Sequence, residues 1–121
     1  MRFAFVTLQV RDMEASLRFY RDLLGMEIAR RFSPGPGTDV VFLSQGGLQL
    51  ELICRQGVEP DAGGSFSLGF AVSDLDGELA LLTAAGLTCG PVLRPAPRTR
   101  LSFCNDPDGN AVELIEEKTE E

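Results

Sequence analysis

Two glutamates, Glu51 and Glu113, stand in closely similar stretches, LQLELI (48–53) and NAVELI (110–115). A carboxylate repeated in this way is a candidate for acid–base work, for pairing with a cation, or for holding a metal ion. The chain contains no histidine, so a zinc-, nickel- or iron-type centre that relies on imidazole has no donor here. Two carboxylates plus water could hold Mg²⁺ or Ca²⁺ only weakly. Two carboxylates converging without a metal must share a proton, pair with arginine or bind a cation. Sharing a proton would raise one pKa and make one of them, Glu51 or Glu113, a general acid or base.

Two other groups of residues could carry chemistry. Cys54, Cys89 and Cys104 are odd in number, well separated and in no CxxC spacing. They read as reduced thiols of a cytoplasmic protein, each serving as a small buried hydrophobe. The stretch LRPAPRTR (93–100) places Arg94, Arg98 and Arg100 among prolines. It is either a solvated basic loop or a semi-rigid lip from which an arginine could grip a carboxylate ligand.

The elements that must position these residues come from a duplication. FVTLQVRD (5–12) and SLGFAVSD (67–74) are related by the same offset of 62 that relates Glu51 to Glu113. Gly25 and Gly86, each at the end of an expected helix, match to within one residue. Each half reads as a strand, a helix and three strands. Strand 3–10 leads through Asp12, an N-cap, into a helix to about Leu24, with Met13, Leu17, Tyr20 and Leu24 as its apolar stripe and Gly25 as its C-terminal stop. Strands follow near 26–31, 39–44 and 48–54. The second half repeats this with strand 66–72, helix 75–85 capped by Asp74, and strands near 88–92, 100–105 and 111–116, the last two joined by the turn DPDG (106–109). The expected organisation is a first module 1–54, a Gly- and Pro-containing linker 55–65, a second module 66–116 and an acidic tail 117–121.

A period of two sorts the strand residues into two faces. Val6, Leu8, Val10, Leu50, Leu52, Leu68, Phe70, Val72, Val112 and Leu114 are uniformly apolar and should pack beneath the helices. The opposite face carries Phe5, Thr7, Gln9, Gln49, Glu51, Ser67, Gly69, Ala71, Ala111, Glu113 and Ile115, a mixed and partly very small set. Charged and very small residues make poor core, since a buried charge needs a partner. They make good lining for a partly wet cavity. The candidate ligand-binding residues are therefore Phe5, Thr7, Gln9, Gln49, Ser67 and Gly69, with Glu51 and Glu113 as the polar floor.

A strand entering D-x-x-x-S-x-x-F-Y-x-x-x-L-G, here Asp12, Ser16, Phe19, Tyr20, Leu24 and Gly25, resembles the opening of the vicinal oxygen chelate family of glyoxalase I and bleomycin resistance proteins. FAVSDLDGELALLTAAGL (70–87) and the ending FCNDPDGNAVELIE (103–116) are similar to that family's second helix and terminal hairpin. The resemblance implies an α+β fold of two tandem βαβββ modules, forming a cupped mixed sheet with helices on the convex side. It implies a ligand site in the cup, formed within one chain or across a homodimer. It also places the family's four metal-ligand positions at Phe5, Glu51, Ser67 and Glu113, where both first-strand ligands have been lost. No metal cofactor is therefore expected beyond a weakly held divalent ion, and the metal-dependent activities of the family are not the expectation.

Three functional readings follow. The first is metal-independent binding of a small molecule, cationic or planar. The second is a glyoxalase-like lyase or isomerase using Glu51 or Glu113 as base. The third is a non-catalytic dimeric paralogue. A net charge of −7 and a pI near 4.5 argue against nucleic acid and anionic membranes as partners. Part of that charge is expected to lie in a solvated tail of Glu116, Glu117, Glu120 and Glu121. No apolar run approaches a membrane span, and residues 1–10 lack the signature of a signal peptide.

Overall fold

The computed structural model describes residues 1–61 and 66–118. Part of the expected linker (62–65) and most of the expected acidic tail (119–121) lie outside the described residues. The chain divides into two compact units, Met1–Asp61 and Ala62–Glu121, and each carries one four-stranded mixed sheet. Among the described residues, no helix is long and apolar enough to cross a membrane.

In the first unit, β1 (Val6–Gln9) leads into α1 (Met13–Leu17), which continues as a π-helical segment (Arg18–Leu23); β2 (Glu27–Phe32), β3 (Thr38–Gln45) and β4 (Leu48–Arg55) follow. The sheet order is β1-β4-β3-β2. The first and last strands of the unit pair in parallel along one side of the sheet, with Thr7 beside Glu51. In the second unit, β5 (Ser67–Ala71), α2 (Leu75–Ala84), β6 (Leu93–Ala96), β7 (Thr99–Asn105) and β8 (Ala111–Glu117) give the order β5-β8-β7-β6. Gly69 there lies beside Glu113. Two α+β modules with matching strand order bear out the expected duplication.

The apolar face forms the core as the alternation requires. Leu8, Val10, Leu50, Leu52, Val112 and Leu114 are buried, while Val6, Leu68, Phe70 and Val72 are half-buried. Burying one such aliphatic side chain contributes roughly 1.5–3 kcal/mol. Asp12 and Asp74 cap their helices, accepting from the Ala15 and Gly77 amides at 3.2 and 3.1 Å, as expected.

Three elements differ from the sequence expectation. The first helix widens after Leu17: the Leu24 amide reaches back five residues to the Phe19 carbonyl at 3.0 Å. This wider turn buries Phe19 as well as Tyr20, their rings edge to face at 4.8 Å. The simple stripe of Met13, Leu17, Tyr20 and Leu24 counted only one of the two, and Leu24 itself stays half-buried. The strand expected near 88–92 lies instead at Leu93–Ala96. Residues 88–92 form a single bridge pair with β7, Cys89 opposite Cys104. Gly90 still donates its amide to the Phe103 carbonyl at 2.8 Å, but pairing with β7 resumes only at Leu93, opposite Leu101, one residue out of register.

The third difference is the basic stretch. It is a hairpin of β6 and β7 rather than a free loop, and Arg100 lies on the helix-facing side of β7 with buried Ser102 and Cys104. Its guanidinium bridges Asp76 of α2 and Glu116 of β8, at 3.1 Å to each. Glu116 is not a solvated tail residue; it is buried, and its other oxygen accepts from the Leu75 amide at 2.9 Å. That backbone donor and the Arg100 guanidinium hold its carboxyl below the usual carboxylate range. The first unit has a counterpart built from other residues, with Arg31 of β2 bridging Glu14 of α1 and Asp39 of β3.

Candidate functional site

Cross-strand register sets out two rows of side chains on the faces away from the helices. In the first unit the row runs Arg30, Phe42, Glu51, Thr7. In the second it runs Gly90, Phe103, Glu113, Gly69, with Gly90 set opposite Phe103 by its amide bond. Phe42 and Phe103 are repeat equivalents, as are Thr7 and Gly69. Alternation alone had placed both carboxylates on such a face, and the strand register agrees.

The first row is filled and internally satisfied. The Thr7 hydroxyl donates to Glu51 Oε1 at 2.6 Å, so Thr7, and not Gln9 or Gln49, is the partner of this carboxylate. The Phe5 ring meets Phe42 edge to face at 5.0 Å, and Phe32 stacks on Phe42 at 6.4 Å. The Arg30 guanidinium lies over the Phe42 ring, 4.5 Å from its centroid, and over Phe32 at 5.2 Å. Phe42 is consequently buried although it faces away from the helix. Gln9 and Gln49 are exposed on β1 and β4.

The second row is open. Gly69 has nothing within 4 Å of where a Cβ would stand. Phe103 remains 38% exposed, since its cross-strand neighbour Gly90 carries no side chain to cover it. Glu113 is half-buried between Gly69 and Phe103, and among the described residues no hydrogen bond or ion pair satisfies its carboxylate. Ser67 is exposed at the start of β5, opposite Ala111. A free carboxylate beside an exposed ring, with no side chain at the next strand position, can take a ligand that offers a flat apolar surface and a hydrogen-bond donor or positive charge.

The four positions that the resemblance assigns to a metal do not fit one. Phe5 offers no donor and is packed on Phe42. Glu51 already accepts a hydroxyl, and Ser67 is a poor ligand unless deprotonated. Among the described residues, no group of three or more His, Cys, Asp or Glu side chains could hold a metal ion. An open hollow in the first unit, lined by Arg11, Ser33, Asp39, Arg55 and Glu59 among others, contains none of the expected site residues.

Phe42, Phe103, Arg30 and Gly90 escaped the sequence reading. The first two could have been found by carrying the repeat through β3 and β7, where they align at an offset of 61 rather than 62. Arg30 and Gly90 had no such signal, because β2 and the segment leading into β6 are where the halves diverge.

The comparisons with known proteins agree with this architecture. The model of the Glyoxalase/Bleomycin resistance protein/Dioxygenase superfamily matches residues 2–114. The lactoylglutathione lyase of Haemophilus influenzae is 30% identical over 129 residues, covering 98% of this chain and 95% of that one. A probable chloroplastic lactoylglutathione lyase of Arabidopsis thaliana is 35% identical over 127 residues, covering 95% of this chain. The chain spans only about a third (35%) of that relative's length. The crystal structure of a glyoxalase family protein from Bacillus cereus superposes with a TM-score of 0.86 at 19% identity, covering 98% of this chain and 95% of that one.

Proposed function

Because the chain belongs to the Glyoxalase/Bleomycin resistance protein/Dioxygenase superfamily, we propose that it binds a small planar or cationic molecule without a transition metal. Glu113 is the polar anchor of this site and Phe103 its apolar wall. The observation that carries the reading is the half-buried Glu113 carboxylate, unpaired among the described residues and set between Gly69 and an exposed ring. A partly buried carboxylate without a partner carries a desolvation cost that a cationic or N–H-donating ligand would offset. Glu51, held by Thr7, serves its own row rather than gripping the ligand.

Metal analysis of the dialysed protein, followed by a thermal-shift screen of planar cations, tests the proposal. Expected are no stoichiometric Ni, Zn, Fe or Mn, and a ligand-dependent rise in Tm that Glu113→Gln abolishes. Stoichiometric metal surviving dialysis, or a Glu113→Gln variant with full response, would overturn it.

The names of the relatives favour a second reading, a lyase or isomerase with Glu113 as general base, with or without a weakly held divalent ion. The free carboxylate suits a base, and turnover of S-lactoylglutathione by the metal-free protein, lost in Glu113→Gln, is its expected signature. Absence of both turnover and ligand response would leave a non-catalytic dimeric paralogue.

A further inference from the structure

We propose that Cys89 and Cys104 form a reversible disulfide site, a dithiol that a low-molecular-weight disulfide oxidises to a cross-strand bond within one chain. In sequence the two cysteines look unrelated. The fold sets them opposite each other in an antiparallel bridge. The Gly90 amide donating to the Phe103 carbonyl, 2.8 Å, identifies the kind of pair. A bond from the residue after one member to the residue before the other flanks a non-hydrogen-bonded pair, in which side chains are closest and Cα atoms lie about 4.5 Å apart. That spacing falls at the short end of the roughly 4.4–6.8 Å that disulfides span. The two thiols are near enough to influence each other's titration.

Cys89 is half-exposed, so the bond lies within reach of a thiol reductant, a property of labile rather than structural disulfides. The two sulfurs differ in access. Cys104 is buried, and burial pushes its thiol up to about 11; Cys89 is half-exposed. Cys89 therefore supplies the attacking thiolate. Its sulfur bonds to one sulfur of glutathione disulfide, expelling one glutathione thiolate and leaving a mixed disulfide. The Cys104 sulfur then displaces the second glutathione. In sum, two protein thiols and one glutathione disulfide give one protein disulfide and two glutathiones.

The bond would fasten a weakly held segment. Residues 88–92 join β7 through this bridge, the Gly90 amide and a Ser102 hydroxyl donating to the Gly90 carbonyl at 2.9 Å. Both Gly90 and Phe103 belong to the open row, so the disulfide would fix one edge of it.

Glutathione disulfide added to the full chain, followed by thiol titration after denaturation and by peptide mapping, tests the site. Free thiols should fall from three to one, with the Cys89 and Cys104 peptides linked in a single chain, and reduced glutathione should restore all three. Cys54→Ser should lose both remaining thiols at the wild-type rate. Cys89→Ser should form no intramolecular bond. A wild-type protein that keeps three thiols, a bond involving Cys54, or a bond between chains would each overturn the proposal. Because the readout is covalent, it is independent of whether any ligand binds beside Glu113.

Discussion

The two halves of this chain have the same strand order and the same parallel pairing of first and last strands, yet they spend their matched positions differently. The first unit closes its row: Thr7 occupies Glu51, and Arg30, Phe5 and Phe32 cover Phe42. The second leaves its row open, with glycines at both ends of the Phe103–Glu113 pair. The clamps between helix and sheet reverse this contrast. Arg31 and its partners are 36–61% exposed, whereas Arg100 holds a Glu116 that is only 2% exposed. A duplicated backbone frame thus keeps its geometry while one copy invests in a firm interior clamp and an open surface, and the other in the reverse.

Removing the two clamp arginines should separate the halves most strongly. Arg100→Ala leaves the buried Glu116 carboxylate with only the Leu75 amide and the more distant Lys118 ammonium at 3.7 Å, and should give the largest fall in Tm of these substitutions, because an undercompensated buried charge is far costlier than a lost surface pair. Arg31→Ala should cost only about 0.2–1 kcal/mol, the range of exposed ion pairs. The acid response supplies the sign. Glu116 titrates below its ordinary value near 4.5, chiefly through the Leu75 amide and then through Arg100. Its stabilisation is therefore present above that ordinary value and lost as pH falls through the lowered one. Urea midpoints of wild type and Arg100→Ala should differ most near neutral pH and converge as the pH falls below that ordinary value and through the lowered one. A constant gap across that range would mean that Glu116 is not what Arg100 serves.

The open row can be closed by copying the first. Gly69→Thr places at the second row the residue that occupies Glu51 in the first, and nothing within 4 Å obstructs its Cβ. Threonine suits a strand better than glycine, so stability should rise by about 0.5–1 kcal/mol. Affinity for a planar cation should fall at least ~10-fold, the equivalent of one charge-assisted hydrogen bond, as measured by calorimetric titration. Glu113→Gln should lose a similar factor, while Glu51→Gln should change it less than ~3-fold. Equal losses from the two glutamates would remove the distinction between an occupied and a ligand-facing carboxylate.

What the sequence disclosed follows from what alternation can encode. It records which face each strand residue takes, so the duplication, the α+β plan and the face of Glu51 and Glu113 were all legible. It does not record what stands at the far end of a side chain. Glu116 was read as tail charge because its partners, Leu75 and Arg100, are distant in sequence and come from other elements. Cys89 and Cys104 were read as separate for the same reason, and a one-residue slip of register between Gly90 and Leu93 leaves them a single bridge. Thr7 was nominated as a ligand contact, yet it spends its hydroxyl on Glu51. A polar side chain facing outward looks the same in sequence whether it awaits a ligand or serves a neighbour.

The smallest effect probes the lid of the closed row. Arg30 is exposed and makes its contact through the faces of Phe42 and Phe32, at 4.5 and 5.2 Å. Such a cation–π contact at an exposed site contributes about 0.5–1 kcal/mol. Arg30→Ala should destabilise the protein by that amount in urea titration and uncover the part of Phe42 that the guanidinium shields. Arg30→Lys should retain part of the effect, since an ammonium keeps the charge but not the planar stack. The two variants together separate cation from cover. If both are silent, Arg30 lies over Phe42 without stabilising it, and the closure of the first row rests on Phe5, Phe32 and the Thr7–Glu51 bond alone.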